Sequence, residues 1–352
     1  MTRNRSPQII HPARRYLLAA IASSFFGAMP TVVTAYDAER EDVRLFIERL
    51  VSEYGFDADY VSAMLAQSES KQSILDAISK PAERTLAWHE YRKIFITRKR
   101  IDAGIRFLDE HADSLARITE QTGVPAEIIA AIIGVESFYG RITGSYRVID
   151  ALATLGFDYP PRAKFFRSQL EEVFMLAREE QFKLTDLVGS YAGAMGPPQF
   201  IPSSYRAYAV DGDGDGRRDL LGNWDDILMS VANYFIRHGW RSGEPVIVRG
   251  ATAENLPVPP GGNSLKLTET VASLAERNII FNTELEADAP AQLFSLEGEA
   301  GPEYWIGFHN FYVITRYNHS AMYALAVFQL SDALTEARPE ADDSGKVSQK
   351  LP

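Results

Sequence analysis

Two short stretches of the chain concentrate residues able to do chemistry. Asp211-Gly212-Asp213-Gly214-Asp215-Gly216 sets carboxylates at alternate positions with a glycine at the sixth, the first half of an EF-hand calcium loop. Carboxylates so close repel one another unless a cation neutralises them. The twelfth position is Gly222, not the bidentate Glu of the full loop, so a further ligand must come from elsewhere, with Asp219, Asp225 and Asp226 nearby. Without a cation the same segment is a solvated acidic turn. The second stretch centres on Glu136, which follows Ile129 by seven residues, Ile132 by four and Ile133 by three, and so shares their face of a helix. Apolar surroundings disfavour the charged form of a carboxyl, and a general acid must hold its proton near neutrality. The plain alternative is a glutamate that reaches water at the helix end, where Gly140 permits termination.

The elements that carry these residues follow from periodicity. Val124-Pro125-Ala126-Glu127 opens the Glu136 helix with proline at its first turn, and the helix is expected to run to Gly140. From Ala38 to about Glu120 apolar residues recur at helical spacing, as in Val43, Phe46, Ile47 and Leu50, which predicts several helices. Another helix is expected from Pro161 to about Phe182 and a last one from Ser320 to about Glu336. Between Trp240 and Arg316 prolines and short β-branched or mixed runs, Val246-Ile247-Val248 and Tyr312-Val313-Ile314, predict a small strand-rich lobe. There is no internal repeat.

The whole chain sets the limits. Its 352 residues are 46% hydrophobic and 24% charged, enough to build one large core or two moderate ones. A net charge of −11 argues against nucleic acid as a partner, since phosphate backbones call for clustered Lys and Arg. Arg3, Arg5, Arg14 and Arg15, then an apolar run from Tyr16 to Met29, then Val33-Thr34-Ala35, read as a secretory signal over 1–35 with the mature chain starting near Tyr36. An uncleaved anchor is the alternative, disfavoured by Pro30 and the short apolar run. No cysteine is present to form disulfides or to carry a lipid, so a soluble envelope protein without an integral span after signal removal is expected. The polar tail from 337 to 352 reads as disordered.

Gly134-Val135-Glu136-Ser137-Phe138-Tyr139-Gly140 resembles the catalytic segment of the membrane-bound lytic murein transglycosylase B family. Further motifs of that family follow in order: Asp150-Ala151-Leu152-Ala153-Thr154-Leu155, Gly189-Ser190-Tyr191-Ala192-Gly193-Ala194-Met195-Gly196, Gln199-Phe200-Ile201-Pro202-Ser203-Ser204, Val231-Ala232-Asn233-Tyr234-Phe235 and Tyr317-Asn318-His319-Ser320. The resemblance spans roughly Tyr91 to Leu330 and implies a mainly α (α+β) protein: a lysozyme-like helical catalytic core over 121–239, an N-terminal helical region over 36–120, the strand-rich lobe over 240–316, and a C-terminal helix over 317–336 completing the core.

The resemblance also assigns roles. It implies Glu136 as sole catalytic carboxylate, acting first as acid and then as base, with Ser190 and Asn318 beside it. It places Gln199, Phe200, Tyr234, Tyr317 and Tyr91 along a sugar groove, where ordinary core packing is the competing reading of each aromatic. Arg162 matches one of two adjacent arginines that face the substrate, the other being replaced by Pro161. Pro197-Pro198 stands where the family carries more flexible residues, which stiffens the chain before Gln199. For the acidic loop the resemblance implies calcium held by Asp211, Asp213, Asp215, the Arg217 carbonyl and Asp226. The implied reaction cuts peptidoglycan after N-acetylmuramic acid and leaves a 1,6-anhydro end, with peptidoglycan-synthesising enzymes as candidate partners. A hydrolysing muramidase on the same scaffold and a catalytically silent wall-binding module are the competing readings.

Overall fold

The computed structural model describes residues 36–79, 86–252 and 264–338. The expected signal segment and the tail beyond Arg338 lie outside them. Six helices open the described chain: α1 (Glu41–Tyr54), α2 (Ala58–Ala66), α3 (Gln72–Ile78), α4 (Trp88–Phe95), α5 (Arg98–Glu110) and α6 (Ala112–Thr122). Then come α7 (Ala126–Ser137), β1 (Tyr146–Arg147), α8 (Val148–Asp158), α9 (Ala163–Glu179), β2 (Val188–Gly189), α10 (Pro202–Tyr208) and α11 (Trp224–Arg237). The strand lobe holds β3 (Ile247–Thr252), β4 (Glu269–Thr270), α12 (Val271–Glu276), β5 (Ile279–Ile280), β6 (Pro290–Gly298) and β7 (Gly301–Gly307). Two helices close it, α13 (His309–Tyr317) and α14 (Ala321–Ala337).

α7 is the axis of the core, packed by α5, α6, α11 and α14. Every residue from Ile128 to Val135 is buried, so the helix has no solvent face against which an apolar stripe could be defined. The helical spacing of Ile129, Ile132 and Ile133 is real, but Glu136 is singled out by exposure: it is half-buried between the buried Val135 and Ser137, in the last turn of the helix. α14 is buried in the same way over Tyr323–Val327 and lies against α7, α5 and α4. Ser320 starts it by accepting the Tyr323 N–H at 3.2 Å on its hydroxyl.

Two carboxylates of α8 fasten the N-terminal helices: Asp150 accepts the Glu69 N–H at 3.0 Å, and Asp158 takes the larger share. Asp158 accepts hydrogen bonds from the Tyr36 hydroxyl at 2.6 Å, the Ser70 hydroxyl at 2.7 Å and the Arg40 guanidinium at 2.7 Å. Burial alone pushes the Asp158 carboxyl up, but these three donors and the Arg40 charge outweigh it and hold the group below its usual range.

In the strand lobe five antiparallel strands run in the order β4-β6-β7-β3-β5. Alternation divides their side chains between two cores. Leu293 and Ile306 join Leu274 and Phe308 in a small cluster of their own, whereas Phe294 and Trp305 belong to the main core. Val246-Ile247-Val248 leads into β3 as expected. Tyr312-Val313-Ile314 does not form a strand: it is the middle of α13, with Asn310, Phe311, Val313, Ile314, Thr315 and Tyr317 all buried. Three residues span less than one helical turn, so they cannot show the period of α13, whose partly buried stripe is His309, Tyr312 and Arg316. Among the described residues no single helix is long and apolar enough to cross a membrane.

Candidate active site

The turn after α7 sets the position of Glu136. The helix ends at Ser137, three residues before Gly140, and the chain then takes three left-handed residues in a row: Phe138 (φ 53), Tyr139 (φ 59) and Gly140 (φ 78). Left-handed non-glycine residues cost of order 1–3 kcal/mol each and persist where surrounding contacts impose them. Two sets of contacts do so. Ser137 donates its hydroxyl to the Pro197 carbonyl at 2.7 Å and accepts the Gly140 N–H at 3.0 Å, while its carbonyl accepts the Ile142 N–H at 2.8 Å. Tyr139 folds back against its own helix and α5. A Cβ at Gly134 would sit 2.7 Å from that ring, and one at Gly104 would sit 2.3 Å from its hydroxyl. The two glycines are therefore the space the tyrosine occupies. Its hydroxyl is buried without a hydrogen-bond partner.

Glu136 itself is fixed by a residue outside every motif quoted above. The Tyr323 hydroxyl, on α14, donates to Glu136 Oε1 at 2.6 Å. Tyr323 is fully buried, and burial first, then the charge of Glu136, raises its phenol well above the usual range, so it stays a donor. The groups acting on it are Glu136, Tyr317 and Tyr91, one carboxylate among phenols. The signal for Tyr323 in the sequence was a hydroxyl inside the apolar run Ala321-Met322-Tyr323-Ala324-Leu325-Ala326-Val327, since a buried phenol normally has an acceptor.

The aromatic residues assigned to a groove form a packed wall behind this pair. Phe200 is 0%, Tyr91 1% and Tyr234 and Tyr317 each 2% exposed. The Phe200 ring lies 5.7 Å from that of Tyr234 and 5.8 Å from that of Tyr317, and Tyr317 stacks 6.5 Å from Tyr323. The Tyr317 hydroxyl donates to the Pro198 carbonyl at 2.5 Å and the Tyr234 hydroxyl to the Arg316 carbonyl at 2.6 Å. Both prolines thus offer carbonyls that hold the site together, Pro197 to Ser137 and Pro198 to Tyr317. Tyr91 packs 6.4 Å from Trp88 and 5.1 Å from Phe95.

Gln199, Ser190 and Asn318 lie in the connections between elements. Gln199, left-handed at φ 50, donates its amide to the carbonyls of Gly196 at 2.8 Å and Thr143 at 3.1 Å, and its buried Oε1 has no protein partner. Ser190 accepts the Ala194 N–H at 3.0 Å and the Ala192 N–H at 3.3 Å, shaping the 189–196 loop. Asn318, 3% exposed, is the residue at which α13 stops. Arg162 stands apart from this group, its guanidinium 4.2 Å from the Phe165 ring and 5.0 Å from that of Phe166. A cavity of about 350 Å³ flanks the turn, walled by Gly140, Thr143, Gly196, Pro197 and Trp224; Glu136 is not part of its lining.

In the acidic loop Asp211, Asp213 and Asp226 bring carboxylate oxygens within 4.8 Å of one another. Asp226 is fully buried at the start of α11 and accepts the Gly212 N–H at 2.7 Å and the Asp219 N–H at 2.6 Å. Its burial, despite those bonds, and the charges of Asp213 and Asp211 push its carboxyl upward. Asp213 is held low, chiefly by the hydrogen bond from the Asn223 amide. Asp225 and Asp219 are engaged elsewhere. Asp225 pairs with Arg117 and accepts from Ser114 at 2.8 Å, and Asp219 accepts the Leu221 and Gly222 N–H groups. Asp215 accepts the Arg217 N–H at 2.8 Å and lies outside the three-carboxylate group, while the Arg217 side chain donates to the Glu180 carbonyl. Three converging carboxylates suit a hard cation.

The chain is similar to known proteins over most of its length. The sequence profile described as the transglycosylase SLT domain matches residues 38–332. The chain belongs to the transglycosylase SLT domain family. It is 41% identical over 313 residues, 86% of this chain and 84% of the relative, to membrane-bound lytic murein transglycosylase B of Escherichia coli K12. The X-ray structure of catenated lytic transglycosylase SltB1 from Pseudomonas aeruginosa matches with a TM-score of 0.80 at 49% identity, over 85% of this chain and 98% of that one. Escherichia coli lytic transglycosylase Slt35 in complex with calcium matches with a TM-score of 0.76 at 41% identity, over 85% of this chain and 94% of that one. The family resemblance carried by the motifs and the lysozyme-like, mainly helical fold are both borne out.

Proposed function

We propose that this peptidoglycan lytic transglycosylase works through Glu136 alone, first as acid and then as base. The observation that carries the reading is the Tyr323 hydrogen bond, which holds one carboxyl in place at the exit of the core helix. Glycosidases ordinarily need a second carboxylate to deliver water or to trap the sugar. None is needed if the sugar supplies its own nucleophile. Glu136 gives its proton to the glycosidic oxygen as the bond to the N-acetylmuramic acid C1 breaks, and the N-acetyl group of that sugar stabilises the cation. Glu136 then takes the proton of the 6-hydroxyl as that oxygen closes on C1. The product carries a 1,6-anhydro ring and no water is consumed.

On this reading Gln199 Oε1, buried and without a protein partner, accepts a donor from the sugar, and the Phe200-Tyr234-Tyr317 wall keeps the site dry. Asn318 and Ser190 border the site, and Arg162 and Tyr91 act at its edges. Calcium, bound by Asp211, Asp213 and Asp226 with Asp215 and the Arg217 carbonyl completing the shell, stabilises the start of α11. The enzyme operates in the periplasm after removal of the signal segment, alongside peptidoglycan-synthesising enzymes.

The test is Glu136→Gln assayed on purified sacculi with mass analysis of the fragments. Loss of general acid catalysis lowers the rate by about 10² to 10⁴, with the fold retained because the amide still accepts from Tyr323. A folded variant as fast as wild type removes Glu136 from the mechanism. Wild-type products that carry only reducing ends identify a hydrolysing muramidase instead, and binding without any cleavage identifies a wall-binding module.

A further inference from the structure

Two residues beyond Glu136, the Phe138 ring is surrounded by cations. Lys99 Nζ lies 5.6 Å from its centroid, the Arg100 guanidinium carbon 5.0 Å and that of Arg141 5.5 Å. Their neighbour Arg98 pairs with Asp102 at 2.7 Å, but among the described residues none of the three has a carboxylate at ion-pair distance. This is unexpected in a chain of net charge −11, where acidic partners are plentiful.

Arg100 is the most exacting of the three. It is half-buried, its Nε finds no acceptor, and its one hydrogen bond goes to the Ile94 carbonyl. Burial lowers its proton affinity, opposed only by Tyr139. Removing a guanidinium from water without a counter-charge costs several kcal/mol. The local helix does nothing to offset this. Arg98, Lys99 and Arg100 fill the first turn of α5, the positive end of the helix dipole, and that turn contains no acidic residue. Dipole and charge pairing therefore both oppose the arrangement, and such conflicts concentrate at binding sites.

The cluster borders the catalytic centre. Phe138, on which the three cations converge, follows Glu136 by two residues, and Arg100 also stacks 5.2 Å from Phe95, which lies 5.1 Å from Tyr91. We infer that Lys99, Arg100 and Arg141, gathered about Phe138, form a subsite for the carboxylates of the peptide stem attached to the glycan strand beside the bond that is cut. Stem peptides carry free carboxylates on flexible chains, which planar guanidinium groups bind through paired N–H donors. The half-buried Arg100 supplies the strong contact, and the exposed Lys99 and Arg141 draw the stem in. This inference rests on the peptidoglycan reading above.

The experiment compares cleavage of two substrates, stem-bearing glycan strands and strands stripped of stems by an amidase, using the full chain. Wild type is expected to prefer the stem-bearing strands through a lower KM, and added salt is expected to shrink that preference. In Lys99→Gln/Arg141→Gln, both at exposed positions, the preference falls by about five- to tenfold, the loss of one or two charge contacts. Arg100→Met removes a half-buried charge that has no carboxylate partner, so it lowers the preference without lowering the melting temperature. An unchanged preference in the double variant, or an equal loss on both substrates, overturns the subsite. So does a wild type indifferent to stems. A wild type that cuts neither substrate instead defeats the peptidoglycan reading on which the inference rests.

Discussion

The hydroxyl of Tyr323 and the carboxyl of Glu136 meet at 2.6 Å across the contact of α14 with α7, between the buried stretches from Ile128 to Val135 and from Tyr323 to Val327. That contact makes the orientation of the Glu136 carboxyl a property of core packing.

Tyr323→Phe deletes the donor and little else. A hydrogen bond to a charged group contributes about 1.5–3 kcal/mol, so a tenfold or greater fall in kcat is expected, with KM nearly unchanged because the sugar contacts remain. Steady-state kinetics on soluble glycan strands checks this. A kcat within twofold of wild type shows that Glu136 is oriented without the phenol.

Much of this site was legible in the sequence, and the reasons differ by residue. Glu136 was visible because a carboxyl interrupts an apolar helical run. The Asp-Gly repeat was visible because a turn that crowds like charges announces a cation. Tyr323 was not, because its partner is 187 residues away and α14 has no periodicity to show which face is which. Tyr312-Val313-Ile314 read as a strand because three residues are shorter than a helical turn; over the whole of α13 the partly buried His309, Tyr312 and Arg316 recur at helical spacing. The positions of Gly104 and Gly134 acquire meaning only once Tyr139 is seen lying on both.

Asp158 makes the docking of the N-terminal helices sensitive to acid. Its folded-state affinity for a proton is depressed, so its stabilising effect is complete above the ordinary aspartate range and is lost as pH falls through the lower folded value. Wild type should therefore lose melting temperature below about pH 4 more steeply than Asp158→Asn, which starts less stable. Melting curves between neutral pH and acid test it. Parallel curves for the two proteins count against Asp158 as the acid-sensitive fastening.

Gly104 and Tyr139 should be energetically coupled. The Cβ added by Gly104→Ala meets the Tyr139 hydroxyl and Leu334, an overpacking of about 1–3 kcal/mol, and any tilt of Tyr139 disturbs the turn that follows Glu136. Tyr139→Phe removes a hydroxyl that has no partner, so it should be neutral or stabilising by about 1 kcal/mol. It also removes the atom nearest the new methyl. The destabilisation by Gly104→Ala should consequently be smaller in the Tyr139→Phe background than in wild type, measured by urea unfolding of all four proteins. Strict additivity refutes the contact.

The acidic loop offers a test that distinguishes neighbouring carboxylates. Asp211, Asp213 and Asp226 converge, whereas Asp225, one residue before Asp226, turns to Arg117 and Ser114 on α6. Calcium is expected to bind with an affinity on the order of 10⁻⁴ to 10⁻³ M, and at about a hundred times that concentration to stabilise by roughly 2.7 kcal/mol. Asp213→Ala and Asp226→Asn should abolish the calcium-dependent rise in melting temperature. Asp225→Asn should lower the melting temperature with and without calcium alike, because it loses an interhelix ion pair and no ligand. The measurement is thermal unfolding of chelator-treated protein titrated with calcium. A response lost in Asp225→Asn and kept in Asp226→Asn would exchange their roles, while no response in wild type would leave the loop as a solvated acidic turn.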